Sequence, residues 1–441
     1  MSGDQLADIQ DEFWYYWNGD SFAIDAEDVP TKTLVPCSVV EFNRPDRPLT
    51  VFCANQQRLE AVYRKLGFEV ERGICAAFIV DTAIFPRASN LDWPPETLHQ
   101  FLPWLQKIDN ESYKSFNKML EQLNGSRFSS AAFVVRHSKA WYGIVFSFPQ
   151  LNMMQFRRGS EFRQTVHRRS KSIGVSRISP YRIDAEYLVN RNHREGARPL
   201  TNMRIAQVGC GAIGGYLADQ LVRNGAGSGG GELTLIDNQI LSHGNIGRHY
   251  LGLLSMNLPK ASSLAESIGK NIPGANIVPN IERAENLADD FFDSFDLVLD
   301  ATGQEGIIRV LSQKFYAGRL PPLIMGWVVG NGIASQAYAL REKGDACIQC
   351  ISPSDSISPY SPLKGENELE ISYGGGCEQA YIPFSSAAAN IAASLMVSLA
   401  LQFASETPGP PLRTVVIDHA NAKQVKDRRP KKSEGCAICQ T

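Results

Sequence analysis

Nothing constrains this chain as tightly as the stretch from Met203 to Asn238, MRIAQVGCGAIGGYLADQLVRNGAGSGGGELTLIDN. Arg204–Val208 is a short, largely apolar run suited to a buried strand, and it leads straight into Gly209-Cys210-Gly211-Ala212-Ile213-Gly214. Leu217, Leu221 and Val222 then recur at helical spacing, so strand, glycine turn, helix and second strand follow one another. Such a βαβ unit is a cradle for a nucleotide. Gly209 permits the tight turn, Gly211 lets backbone N–H groups approach phosphate at the positive helix end, and Gly214 lets helix and strand pack closely. Asp237 closes the second strand, Glu232–Ile236, about 20 residues on, where a carboxylate can take a ribose hydroxyl.

Many α/β folds share such a loop, so the residues after it decide its use. Beyond Asp237 the chain reads QILSHGNIGRH, then places Lys260 in a helix predicted to begin near Pro259. A nicotinamide cofactor has no need of Asn245, Arg248 and Lys260 at these spacings. A triphosphate does: Arg248 can grip two phosphate oxygens with its planar fork, Lys260 supplies a point charge, and Asn245 orients an oxygen without adding charge. Together they could offset the charge that develops on a pyrophosphate leaving group.

Cys347 and Cys350 form one CxxC pair, and Cys436 and Cys439 form another. Four thiolates in two such knuckles suit a tetrahedral, structural Zn²⁺; a redox pair is the alternative, without the helix start that a thioredoxin-like site uses. The nine cysteines are an odd count, and the opening MSGDQLADIQDEFWYYW is acidic and mixed, unlike a secretory signal. A reducing, cytoplasmic setting is expected. Cys37, Cys53 and Cys75 sit among apolar neighbours and read as buried small hydrophobes, and Cys210 reads as packing. Cys377 stands apart in GGGCEQ. Its glycines free the backbone to move a thiol, and a following helix could lower its pKa; a structural cysteine in a turn is the alternative.

A formal net charge of -2 gives no bulk drive toward nucleic acid or a membrane surface. The apolar run Phe384–Phe403 is nearly long enough to span a bilayer, but alanines, serines, Asn390 and Gln402 make it a helix packed inside a domain. Residues 1–150 read as a separate α/β unit, with strands at Leu49–Cys53 and Ala76–Asp81 and a helix over Gln56–Leu66. A helix with Pro94 and Pro95 in its first turn runs toward Leu123, and Ala131–Arg136 with Trp141–Ser147 form a hairpin. Residues 151–198 form a basic linker carrying Arg157, Arg158, Arg163, Arg168, Arg169, Lys171 and Arg177, then a helix in DAEYLVNR. That basic stretch is either a solvated face or a contact for an acidic partner.

The ordered set GCGAIG, the acid in LTLIDN, GNIGRH, Lys260 and LVLDATG resembles the adenylation domain of the ubiquitin-activating (E1-like) superfamily, which includes the ThiF, MoeB and HesA proteins. NIGRHYLG, with RIDAEYLVNR upstream, is similar to bacterial members from ubiquitin-like conjugation and antiviral operons. The resemblance covers roughly residues 180 to 441. It implies an α/β class: a Rossmann-like adenylation domain on a mostly parallel sheet with structural zinc, over 199–441, its zinc knuckles and cysteine loop at about 345–383. The N-terminal domain would be a recognition platform, or a degenerate second adenylation-like fold.

The resemblance further implies that Gly209, Gly211, Gly214, Asp237, Asn245, Arg248 and Lys260 bind ATP, and that Arg191 is the arginine that reaches from one subunit of a homodimer into the other's site. An exposed arginine on a linker helix is the other reading of Arg191. Many members hold Mg²⁺ with the aspartate of a T-D-N-like triplet; here the triplet is Thr302-Gly303-Gln304, and Asp300, at a strand's carboxyl edge, is the expected substitute. The implied reaction is adenylation of the C-terminal glycine of a ubiquitin-like protein, then thioester formation on Cys377 and transfer to a conjugating enzyme. Two alternatives stay open: an adenylyltransferase for a sulfur carrier or peptide without a thioester relay, and a non-catalytic protein that binds nucleotide or a tail.

Overall fold

Two periodicities, apolar alternation in strands and apolar stripes in helices, generate one large sheet in each of two compact units, Met1–Leu188 and Val189–Thr441. The computed structural model describes the chain except residues 1–12, 14–16, 18–22, 26–28, 43–48, 56–58, 65–68, 89–92, 139, 149–155, 184, 195, 273, 289, 354–357, 365–369, 374–379 and 440–441.

The first unit is built on strands β1 (Ala23–Asp25), β2 (Leu34–Phe42), β3 (Leu49–Cys53), β4 (Glu69–Asp81), β5 (Ser130–His137), β6 (Ala140–Ser147), β7 (Val175–Ile178) and β8 (Tyr181–Arg182), in the order β7-β6-β5-β4-β2-β3-β1-β8. The expected hairpin is β5–β6, antiparallel with Val134 opposite Gly143. Cys37, Cys53 and Cys75 are buried, as their apolar neighbours imply. Of the expected helix over Gln56–Leu66, Leu59–Arg64 forms a wide helical turn. The helix predicted to run from Pro94 toward Leu123 is instead two. Thr97 and Gln100 cap the start of α1 (Leu98–Ile108), and Asp109 begins α2 (Asn110–Leu123) by accepting the N–H groups of Glu111 and Ser112, each at 3.1 Å. An aspartate that captures two unpaired donors starts a new helix.

The basic stretch is not a linker. It forms α3 (Gly159–Arg168), which buries Phe162, Thr165 and Val166, followed by β7, which pairs with β6. Phe162, Val166 and Ile173 join the same core as Phe101, Phe116 and Phe133, and Arg163 pairs with Glu121 at 2.8 Å. Sparse apolar residues on the inward face outweigh the arginines between them, so the division falls at Leu188 rather than at residues 150 and 198. The short helix α4 (Ala185–Asn190) spans it.

In the second unit, β9 (Arg204–Val208), α5 (Ala212–Arg223) and β10 (Glu232–Ile236) form the βαβ unit with the predicted strand limits. They are followed by α6 (Lys260–Asn271), β11 (Ile277–Asn280), β12 (Leu297–Asp300), α7 (Glu305–Tyr316), β13 (Leu323–Val329) and β14 (Ala334–Leu340). A small hairpin of β15 (Ser372–Tyr373) and β16 (Ala380–Tyr381), α8 (Ser386–Ala404) and β17 (Leu412–Val416) complete it. The sheet order is β11-β10-β9-β12-β13-β14-β17, parallel from β11 to β13 and antiparallel beyond. One face packs α5, α6 and α8, and the other packs α7. Although α8 has the length and composition of a membrane span, it lies on α5, β13 and β14 with Ala388, Ala392, Met396 and Ala400 buried. Beyond the first turn its exposed positions, Asn390, Ser394 and Ser398, are polar.

Candidate functional site

Strand order reverses between β9 and β12, and open α/β sheets bind ligands at the carboxyl ends of such strands. Gly209 turns there with φ +90°, and a Cβ on it would lie 2.8 Å from the backbone nitrogen of Thr302. The loop then enters α5, whose first N–H groups have no intrahelical acceptor. A cleft of about 610 Å³ opens over this point, and Gly209, Gly211, Asp237, Asn245, Arg248 and Lys260 all line it. Gly214 sits behind the loop rather than in the lining; a Cβ there would fall 2.0 Å from the Gly209 carbonyl oxygen.

The Asp237 carboxylate braces the cradle: Oδ2 accepts the Cys210 N–H and Oδ1 the Gln239 N–H, both at 2.7 Å. Asn245 uses Oδ1 to accept the Ser242 N–H and Oγ–H, each at 3.1 Å, which leaves its NH₂ end for an anion. Lys260 is 5% exposed and donates from Nζ to Gln239 Oε1 at 2.8 Å. Burial lowers its pKa, opposed by Asp237, so a phosphate would supply the countercharge that water does not. The guanidinium carbon of Arg248 lies 4.7 Å from the Phe384 ring centre and 5.3 Å from that of Tyr381, and Nη1 reaches the Ile382 carbonyl at 3.4 Å.

Sequence reasoning missed several residues. His249 is buried; its Nδ1 accepts the Leu251 N–H at 3.0 Å, so Nε2 is the nitrogen that donates to the Cys210 carbonyl at 2.7 Å. Its place beside Arg248 was the available signal. Glu282, Glu285, Trp327 and Phe384 also line the cleft, and no local motif marks them.

The two CxxC pairs meet. Sγ separations are 3.4 Å for Cys347–Cys436, 3.5 Å for Cys350–Cys439 and 3.7 Å for Cys347–Cys350, and all four ligand atoms lie within 4.8 Å of one another. A tetrahedron of Zn–S bonds puts its sulfurs about 3.8 Å apart, so the set fits Zn²⁺. It joins the segment after β14 to the C-terminal segment.

Residues 184–438 match the ThiF family. The ATP-dependent ubiquitin transferase-like protein Cap2 of Pseudomonas aeruginosa is 31% identical over 448 residues, covering 100% of this chain and 78% of that protein. The chain belongs to the ThiF family. Its catalytic class is that of an ATP-dependent adenylyltransferase. Cap2 of Escherichia coli is 26% identical over 80% of this chain, which spans 61% of that relative's length. The molybdopterin-synthase adenylyltransferase of Salmonella typhimurium is 25% identical over 56% of this chain and 90% of its own length. Similarity to the Pseudomonas protein also covers the first 180 residues, beyond where the sequence motifs reach.

Against the ThiF expectations, three placements stand out. Asp300 does not line the cleft: it is 0% exposed, Oδ1 accepts the Thr302 N–H at 2.9 Å, and the buried Oδ2 has no hydrogen-bond partner among the described residues. Ala301, Thr302 and Gly303 join the cleft lining and the fully buried Asp300 does not, so it does not fit the role of a direct Mg²⁺ ligand. Arg191 is exposed just after α4, and Cys377 lies outside the described residues.

Proposed function

We propose that this chain adenylates the C-terminal glycine of a ubiquitin-like protein and then carries it as a thioester on Cys377. A carboxylate oxygen of the tail attacks the α-phosphorus of ATP, the bond to the β-phosphate side breaks, and pyrophosphate leaves with both electrons of that bond. Lys260, Arg248 and the Asn245 amide are placed to offset the charge on the departing phosphates. The Cys377 thiolate then attacks the acyl carbon, AMP leaves, and the thioester passes to a cysteine of a conjugating-enzyme-like partner. Asp237, Glu282 and Glu285 are the carboxylates of the cleft lining and would hold a Mg²⁺ that supplies the triphosphate's counter-charge. We place the reaction in the cytoplasm, in an antiviral conjugation system, with a homodimer in which Arg191 acts on the partner's site.

The observation that carries this reading is the seat of Arg248, which lines the ATP cleft while resting on Tyr381, Ile382 and Phe384. In sequence, Cys377 precedes Tyr381 by only four residues, in the segment where the superfamily carries its acyl-accepting cysteine. Exchange of labelled pyrophosphate into ATP, run with glycine-ended tails of ubiquitin-like proteins, tests the first step. A thiol-labile mass increase on the chain that Cys377→Ala abolishes tests the second. Failure of every tail tried to support exchange would sink the whole reading. Exchange without any adduct would support adenylation alone, the reading favoured by similarity to the molybdopterin-synthase adenylyltransferase.

A further inference from the structure

A phosphate cradle made of backbone N–H groups needs its carbonyl groups turned away and satisfied elsewhere. Here the space behind the cradle is closed, because Gly214 packs so tightly on Gly209 that a Cβ would fall 2.0 Å from the Gly209 oxygen. One side chain fills the gap. Gln207, on β9 and 0% exposed, donates from Nε2 to the Gly209 carbonyl at 3.0 Å and to the Gly214 carbonyl at 2.8 Å. It ties the turn to the first turn of α5.

Stability alone does not account for a glutamine at this place. Its strand neighbours in register are Leu235 on β10 and Leu299 on β12, both buried. Among the described residues its buried Oε1 has no hydrogen-bond partner, an unfavourable burial that an apolar side chain would avoid. We propose that Gln207 is a positioning residue for the nucleotide: it draws the Gly209 and Gly214 carbonyls below the loop, so the unpaired N–H groups at the start of α5 are held toward the phosphates. It touches no substrate itself. Cys210 is braced separately, by Asp237 and His249, so Gln207 acts on the two glycines alone.

The test uses the full chain with Gln207→Met, which keeps the volume and removes the donor. Affinity is measured for ATP and, by competition, for adenosine, which lacks phosphates. We expect ATP to bind about tenfold more weakly and adenosine to stay within about twofold. Equal weakening of both ligands would mark a merely structural role, and unchanged ATP affinity would overturn the proposal outright. If Gln207→Met does not fold, Gln207→Asn, whose donor is one methylene short, is read by the same ratio of ATP to adenosine affinity.

Discussion

Asp300 holds a carboxyl group with no solvent contact, and burial pushes its pKa up to about 6. A folded pKa above the unfolded value of about 3.9 means that the native state binds the proton more tightly, so the associated stability is present below pH 4 and is lost as pH rises through 6. Asp300→Asn keeps an acceptor for the Thr302 N–H and removes the charge. Chemical denaturation should show this variant gaining on the parent from pH 4 to pH 8 by up to about 3 kcal/mol. Parallel stability curves would show that Asp300 is not buried as a titrating group. Arg248 makes a different demand, since its planar guanidinium both lines the cleft and lies over the Phe384 ring. Arg248→Lys keeps the charge and loses the plane, so pyrophosphate exchange should fall by about tenfold or more while ATP affinity changes less. An equal loss in both would reduce Arg248 to a binding charge. That Gly209, Gly211, Asp237, Asn245 and Arg248 come together was legible because each lies within a short motif; their partners were not. Tyr381 and Phe384 follow Arg248 by more than a hundred residues, and no periodicity links them.

Among elements, the βαβ unit was readable to its limits because strand, turn and helix follow local rules, glycine at the turn and apolar residues at period 3.6. The basic stretch misleads for the opposite reason. Its arginines dominate composition, whereas Phe162, Val166 and Ile173 decide where it packs. The cysteine cluster tests the element scale directly. Joining the segment after β14 to the chain's last described residues closes a long loop, so Cys350→Ser or a strong chelator should lower stability by about 3 kcal/mol, or roughly 10 °C in melting temperature. Calorimetry with and without chelator, alongside metal analysis of the purified protein, checks it. An unchanged melting temperature would mean that the four sulfurs hold no metal of structural weight.

For the whole molecule, the decisive question is whether two copies share a site. In the homodimer proposed above, Arg191→Ala and Arg248→Ala chains are each inactive alone, and mixing them should restore up to about a quarter to a half of parental exchange, through dimers with one intact composite site. No recovery on mixing, with heterodimers confirmed by native mass spectrometry, would return Arg191 to the role of an exposed surface arginine. By itself, the sequence determined what local physics can encode: the glycine cradle, the strand limits around it, the basic and amide residues after the second strand, and the cysteine pairs. Only the tertiary structure decided that Arg248 rests on aromatic rings more than a hundred residues further along the chain, that Asp300 is buried out of the cleft lining, and that Gln207 holds the loop from behind. Those outcomes depend on contacts between residues far apart in the chain, where packing and solvent exclusion, rather than spacing, set which side chains meet.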